Sequence, residues 1–213
     1  MNFVDRGITV FCSSSDAAPA AYRRAAVDLG RALAERGAIV VYGGASVGLM
    51  GALATAALDA GGRVVGVIPQ RLVDRELAHG RLTELHVVET MHERKAIMSD
   101  RAAGYVVLPG GFGTYEEFFE VVTWKQLGMH TKPVVLLNTD GFYDPLLAQI
   151  DRAITERVIR PEYRSFVRVA ATVDEVLAHL AAAEPDAGPS GRSGPLGSSS
   201  GPSGSAGATG KWF

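Results

Sequence analysis

"GYVVLPGGFGTYEEFFE", residues 104–120, joins an apolar run to a glycine cluster and then to a run of aromatics and carboxylates. "GYVVLP" is apolar at nearly every position, not at alternate ones, which is the pattern of a strand covered on both faces. Pro109 ends that strand, Gly110, Gly111 and Gly113 free the backbone, and Thr114 is placed to cap a following helix. Glycine costs roughly 0.5–1 kcal/mol relative to alanine inside regular structure. Three glycines in four positions therefore point to a backbone that must come close to something. Exposed N–H groups at a helix N-terminus form an anion site, reinforced by the helix dipole. The loop reads as a seat for one phosphate, with Thr114 adding a hydroxyl. The lysine of G-x-x-x-x-G-K-[ST] is absent, which argues against ATP hydrolysis.

Similar apolar runs recur on either side: "GITVFC", "AIVVYG", "RVVGVI", "ELHVVE", "PVVLLN" and "SFVRVA". Helix-compatible segments lie between them, near residues 19–36, 47–60, 90–102, 114–128, 142–157 and 173–183. Strand–helix alternation with short connections predicts an α/β fold. The expected form is Rossmann-like and doubly wound, a mostly parallel sheet of about seven strands with helices on both faces. Ligands in such sheets bind beyond the carboxyl ends of the strands. Three ends are chemically conspicuous: "YGGASVGLMG", "IPQRLVDRE" and "LPGGFGT".

With 213 residues, 47% of them hydrophobic, the chain is long enough for one good core. The domain is expected over residues 1–183. From Glu184 the chain turns Gly/Ser/Pro-rich, so residues 184–213 read as a disordered tail. A net charge of −2 and the lack of a basic run give no nucleic-acid footprint. The single cysteine, Cys12, excludes an intramolecular disulfide and reads as a buried thiol. "MNFVDRG" lacks the apolar stretch of a signal peptide, and no segment reaches the ~18 apolar residues of a membrane span. A cytoplasmic protein is expected. His79, His86, His130 and His179 show no metal-like spacing with carboxylates, and no metal is implied.

Two further motifs carry open alternatives. "YGGASVGLMG" follows a strand and opens a helix, but it lacks G-x-G-x-x-G spacing and no acidic residue ends the next strand. NAD is poorly supported. Gly43 and Gly44 serve either a tight turn with close helix–sheet packing or direct ligand contact. Thr114-x-x-Glu117 has the form of a capping box, which would make Glu117 structural. Thr90-x-x-Glu93 and Thr172-x-x-Glu175 have the same form and read as caps. The helix after Thr90 begins Met91, His92, Glu93, Arg94, Lys95. Adjacent cations in a first turn oppose the helix dipole. They indicate either a nearby anion or solvated side chains.

Taken together, "GGASVGLMG", "MHERK" and "PGGFGTYEE" closely resemble the Lonely Guy (LOG) family, the cytokinin riboside 5'-monophosphate phosphoribohydrolases. That family's P-G-G-x-G-T-x-x-E signature is met by Pro109, Gly110, Gly111, Gly113, Thr114 and Glu117 without departure. The likeness runs from about Thr9 to about residue 180. One small departure is Ala45, where the family commonly has a third consecutive glycine. Members are often labelled lysine decarboxylases, but nothing in the residues supports pyridoxal phosphate chemistry, and no cofactor is expected.

The resemblance implies a nucleoside 5'-monophosphate substrate with an N6-substituted adenine, cleaved by water to free base and ribose 5-phosphate. It implies Arg94 and Glu117 as the catalytic pair. Glu76, Met91, Lys95 and Thr123 would line the substrate site, together with Gly110, Gly111, Phe112, Gly113, Thr114, Tyr115 and Glu116. It also implies a homodimer. The run "YEEFFEVVTWKQLG" agrees, because it sets Phe118, Phe119, Val121, Val122, Trp124 and Leu127 around most of a helix. The alternative function is a non-catalytic nucleotide- or cofactor-carrier on the same fold.

Overall fold

The computed structural model describes residues 3–74 and 77–182. Seven strands form one sheet: β1 (Gly7–Phe11), β2 (Ile39–Tyr42), β3 (Arg63–Pro69), β4 (Glu84–Val88), β5 (Gly104–Val107), β6 (Val134–Leu137) and β7 (Val167–Ala170). Each coincides with an apolar run of the sequence. The helices are α1 (Ala20–Glu35), α2 (Gly48–Asp59), α3 (Gln70–Val73), α4 (Met91–Asp100), α5 (Phe112–Gln126), α6 (Asp144–Thr155) and α7 (Val173–Ala181). The four-residue α3 has no counterpart in the sequence reading. It follows Pro69, which ends β3 and whose fixed φ favours the start of a helical turn.

All pairings between these seven strands are parallel, in the order β4-β3-β2-β1-β5-β6-β7. The sheet is thus wholly parallel, a sharper outcome than the mostly parallel one expected. Strand direction alternates side chains between two cores. Ile8, Val10, Val40, Tyr42, Val106 and Leu108 pack under α1, α2 and α7, against Leu29, Leu33, Leu53 and Leu180. Val41, Val65, Tyr105, Val107 and Val134 pack on the opposite face, against Met98 of α4 and Phe118 and Val121 of α5. Full burial of such a side chain contributes roughly 1.5–3 kcal/mol. Two-sided burial is what the unbroken apolar runs encode.

Winding reverses at β1, which has β2 on one side and β5 on the other, with Ile8 level with both Val40 and Gly104. The connections after β1 and after β5 therefore depart toward opposite faces and leave a crevice at their carboxyl ends.

Two of the three expected caps form. Thr90 accepts from the Glu93 N–H, and Glu93 answers to the Thr90 N–H, a full capping box at α4. Thr172 accepts from the Glu175 N–H, while Glu175 turns to the Ala171 N–H instead. The third does not form. Gly111, not Thr114, precedes the first residue of α5, so the helix starts three residues earlier than a Thr114 cap would set it, and Thr114 lies inside its first turn. The α5 surface is also divided. Phe118 and Val121 are buried within the chain, whereas Phe119 and Leu127 stay 45% and 59% exposed. The expected tail lies outside the described residues. Among those described, no helix is long and apolar enough to cross a membrane.

Candidate active site

The crevice at the β1/β5 switch opens into a cleft of about 720 Å³. Cys12 forms its floor at the end of β1, where burial pushes the thiol well above its ordinary pKa. Arg94 enters from α4 and Glu117 from α5. Their Nη1 and Oε1 atoms are 3.6 Å apart, with side chains only 9% and 5% exposed.

The surrounding backbone fixes the arginine. Its Nε donates to the Val67 carbonyl at 3.1 Å and its Nη2 to the Gly43 carbonyl at 3.4 Å. A Cβ on Gly43 would stand 2.0 Å from that Nη2, so the first glycine of "GGAS" is the gap through which Arg94 reaches the cleft. The two cations that oppose the α4 dipole thus diverge. Arg94 turns to the cleft, while Lys95 binds Glu116 at 2.5 Å and Glu120 at 3.0 Å on the flank of α5.

Glu117 is one and a half turns inside α5, where it cannot serve as an N-terminal cap. Its carboxyl pKa is pushed up to about 7, chiefly by burial, against the lowering effect of the Arg94 charge. A buried carboxyl held near neutrality, facing a guanidinium in a cleft, is poised for charge stabilisation or proton transfer at working pH.

The N-terminus of α5 faces the same space. The N–H groups of Phe112, Gly113 and Thr114 have no protein acceptor among the described residues, and the first bonded amide is Tyr115, to the Gly111 carbonyl at 3.0 Å. No atom lies within 4 Å of where a Cβ on Gly111 or Gly113 would stand. By contrast a Cβ on Gly110 would strike the Thr114 hydroxyl at 2.1 Å, which packs Thr114 against the loop. Phe112 is 93% exposed at the cleft mouth.

The other glycine loop behaves differently. The Gly48 N–H of α2 donates to Asp16 at 2.9 Å, and the Leu49 and Met50 amides donate to the Ser13 carbonyl. These first three amides of α2 are therefore consumed internally. Gly44, at φ +79°, packs against Ile68 and away from the cleft.

Of the expected site residues, the fold brings Gly43, Arg94, Gly111, Phe112, Gly113, Thr114 and Glu117 together around the cleft. Gly44, Met91, Lys95, Gly110, Tyr115, Glu116 and Thr123 do not line it within one chain. Tyr115 meets Tyr143 edge to face, and Thr123 donates to the Phe119 carbonyl on the outer side of α5. Glu76 lies outside the described residues. Two contributions were missed by the sequence reading. One is the loop after β1, Ser13–Asp16; the other is an apolar wall of Val47, Met50, Leu72 and Leu77. The first had a signal, since "FCSSSD" is a fourth strand end rich in polar groups. The second had a partial one, since Val47 and Met50 fall in "YGGASVGLMG" and Leu72 in "IPQRLVDRE", but nothing local shows that these two connections meet in one wall.

A family model described as "Possible lysine decarboxylase" matches residues 50–180. The chain is 50% identical, over 82% of its length and 89% of the relative's, to a cytokinin riboside 5'-monophosphate phosphoribohydrolase of Rhodococcoides fascians. It is 49% identical to the rice (Oryza sativa subsp. japonica) enzyme of the same name, LOG, covering 82% of this chain and 72% of that one. Among solved structures, the molybdenum cofactor carrier protein of Chlamydomonas reinhardtii superposes with a TM-score of 0.63 at 24% identity, covering 82% of this chain and 94% of that one. The molybdenum cofactor binding protein of Rippkaea orientalis gives 0.64 at 22%, with the same coverage. Those two likenesses establish the fold alone. No lysine lines the cleft among the described residues. With half its residues shared across most of its length and the P-G-G-x-G-T-x-x-E signature folded around the cleft, the chain belongs to the Lonely Guy family.

Proposed function

We propose that this protein is a hydrolase that cleaves the N-glycosidic bond of cytokinin riboside 5'-monophosphates, giving the free base and ribose 5-phosphate, with AMP as a further substrate. The phosphoribohydrolases that the chain resembles supply the substrate class. The observation that carries the reading here is the unsatisfied N-terminus of α5 set directly before a buried Arg94–Glu117 pair. The three free amides take the 5'-phosphate. With the phosphate there, the ribose lies over Glu117.

N-glycoside cleavage passes through a ribosyl oxocarbenium ion. A desolvated carboxylate beside it stabilises that charge and activates the attacking water. Arginine stays protonated at any working pH, which makes it a poor proton donor and a good electrostatic clamp. Arg94, locked by two backbone carbonyls, orients the nucleotide and stabilises the departing base. The wall of Val47, Met50, Leu72 and Leu77 receives the N6 substituent, as its apolar surface suits a prenyl group.

The protein works as a homodimer in the cytoplasm. Exposed Phe119 and Leu127 on the outer face of α5 support the pairing, with Thr123 on the same face, so that a partner subunit would bring this surface toward the substrate. Most closed homo-oligomers are two-fold dimers with self-complementary interfaces.

Incubation with isopentenyladenosine 5'-monophosphate should release isopentenyladenine, while the riboside without phosphate should be nearly inert. Equal turnover of the two would end the phosphate-seat reading. Tight AMP binding with no base release under any condition would instead make the chain a non-catalytic carrier.

A further inference from the structure

His79 is a buried polar side chain that the proposed chemistry does not use, 8% exposed in the connection between α3 and β4. Its two ring nitrogens have separate partners. Nδ1 accepts from the Arg81 N–H at 3.3 Å, which sets the proton on Nε2. Nε2–H then donates to Thr55 Oγ1 of α2 at 3.1 Å. That arrangement belongs to the neutral ring. Burial and the Arg81 guanidinium both lower the His79 pKa from its ordinary 6.5, against the opposing charge of Asp59, which Arg81 binds at 3.1 Å.

The backbone beside this ring straps the first glycine loop. Ala78 bridges Ala45 in antiparallel fashion. The His79 N–H donates to the Gly44 carbonyl at 3.0 Å, and the Ser46 N–H donates to the Leu77 carbonyl at 2.8 Å. The Ser46 hydroxyl donates to that same carbonyl at 3.2 Å. On its upstream side the Leu77 N–H donates to the Leu72 carbonyl at 3.3 Å. Leu72, Leu77 and Ala45 all line the cleft. On the downstream side Gly80 packs against nothing, since no atom lies within 4 Å of where its Cβ would stand. The ring of His79 is what ties this end of the strap to α2.

We infer that His79 is a positioning residue for the cleft: clamped between Thr55 and the Arg81 amide, it latches the Leu77–His79 strap onto the Gly44–Ser46 loop and so fixes the apolar wall against which substrate binds. This rests on the substrate site proposed above. An aliphatic side chain could fill the space, but it would leave the Arg81 amide and the Thr55 hydroxyl without the ring.

The test is steady-state release of isopentenyladenine from its riboside monophosphate by the full chain and by His79→Leu, His79→Asn and Thr55→Val. Hydrogen exchange over residues 43–47 and 77–83 is followed in parallel by mass spectrometry. His79→Leu should raise KM about tenfold, the scale of one or two lost buried hydrogen bonds. Its kcat should stay within about threefold, as for a loss of ground-state binding, and both segments should exchange faster. His79→Asn, whose Oδ1 can accept from the Arg81 N–H, should recover most of the loss. As pH falls below 6.5, the wild-type KM should rise faster than that of His79→Asn, because a protonated Nδ1 no longer accepts. Ionisation of the substrate and of Glu117 is common to both proteins and cancels in that comparison. Unchanged KM and exchange in a folded His79→Leu overturn the inference, as does a loss in His79→Asn equal to that in His79→Leu. Parallel pH profiles of wild type and His79→Asn overturn it too. Should His79→Leu fail to fold, Thr55→Val decides: faster exchange and a raised KM support the latch, and wild-type values refute it. A wild type that releases no base ends the proposed activity and the role assigned to the wall, while strap exchange tells that failure from a failed latch.

Discussion

Arg94 and Glu117 come from different helices, α4 and α5, yet their charged atoms meet at 3.6 Å in a nearly dry part of the cleft. The separation exceeds a charge-assisted hydrogen bond, about 2.7–2.9 Å. The two groups therefore feel each other's charge without being locked together, and each has capacity left for a ligand. The guanidinium is held by backbone carbonyls, so it is positioned before any substrate arrives.

Glu117→Gln should lower kcat/KM by about 10²–10⁴, the range for a catalytic acid or base. The fold should survive, because Glu117 caps nothing. Near-wild-type turnover of isopentenyladenosine monophosphate by a folded variant would exclude a catalytic role for this charge.

The same variant reports on stability. A carboxyl group whose pKa rises from 4.5 to about 7 on folding holds its proton more tightly in the native state. Its contribution is fully present below pH 4.5 and is lost as pH climbs through about 7, an effect on the order of 3 kcal/mol. Wild type should therefore lose stability relative to Glu117→Gln between those pH values in urea titrations. A pH-independent difference between the two would contradict the burial that sets this shift.

Activity should depend on the same ionisation. If the charged carboxylate serves the reaction, kcat/KM for the monophosphate should rise with pH through a limb near 7. Since phosphate ionisation falls close by, the decisive comparison is Glu117→Asp. It keeps the charge in a shorter side chain and should displace the limb, while a substrate-only limb stays fixed.

Gly43→Ala should imitate an arginine mutant. Its Cβ would collide with Arg94 Nη2 at 2.0 Å and push the guanidinium away from Glu117. A loss of kcat comparable with that of Arg94→Lys is expected, roughly 10²-fold or more, with the backbone bonds to Val67 and Gly43 disrupted in both. Full activity in Gly43→Ala would separate that close approach from catalysis.

Phe119→Glu places a charge on the exposed face of α5. Light scattering should find the wild type as a dimer at micromolar concentration and this variant as a monomer with impaired turnover. A fully active wild-type monomer would refute the proposed assembly.

Much of the fold was legible because two-sided burial leaves an unmistakable mark. Runs such as "GYVVLP" and "AIVVYG" have no polar alternation to hide a helix period and became covered strands, whereas "ELHVVE" became the edge strand β4, with Leu85 and Val87 39% and 45% exposed. Helix boundaries were less legible at α5. Thr114 has the chemistry of a cap, but the open backbone of Gly111 starts the helix earlier, and local pattern alone could not rank the two. That three-residue difference decides whether Glu117 is a structural cap or a buried acid. The roles of the two glycine loops were equally hidden. Which helix N-terminus is free depends on Asp16 and Ser13 reaching Gly48, Leu49 and Met50 across the fold, a tertiary fact with no local signature.

The pairing of β1 with β5 also has a consequence for how the molecule is made. Ile8 must wait for Gly104 to emerge during synthesis. Until then one edge of β1 is unpaired, and the cleft that depends on both strands does not exist. Contacts this distant in sequence slow folding and leave strand edges open to other chains. A nascent chain that has reached β4 holds half of the sheet and no finished cleft, which is complete only after β5 and α5, with Glu117, have also left the ribosome.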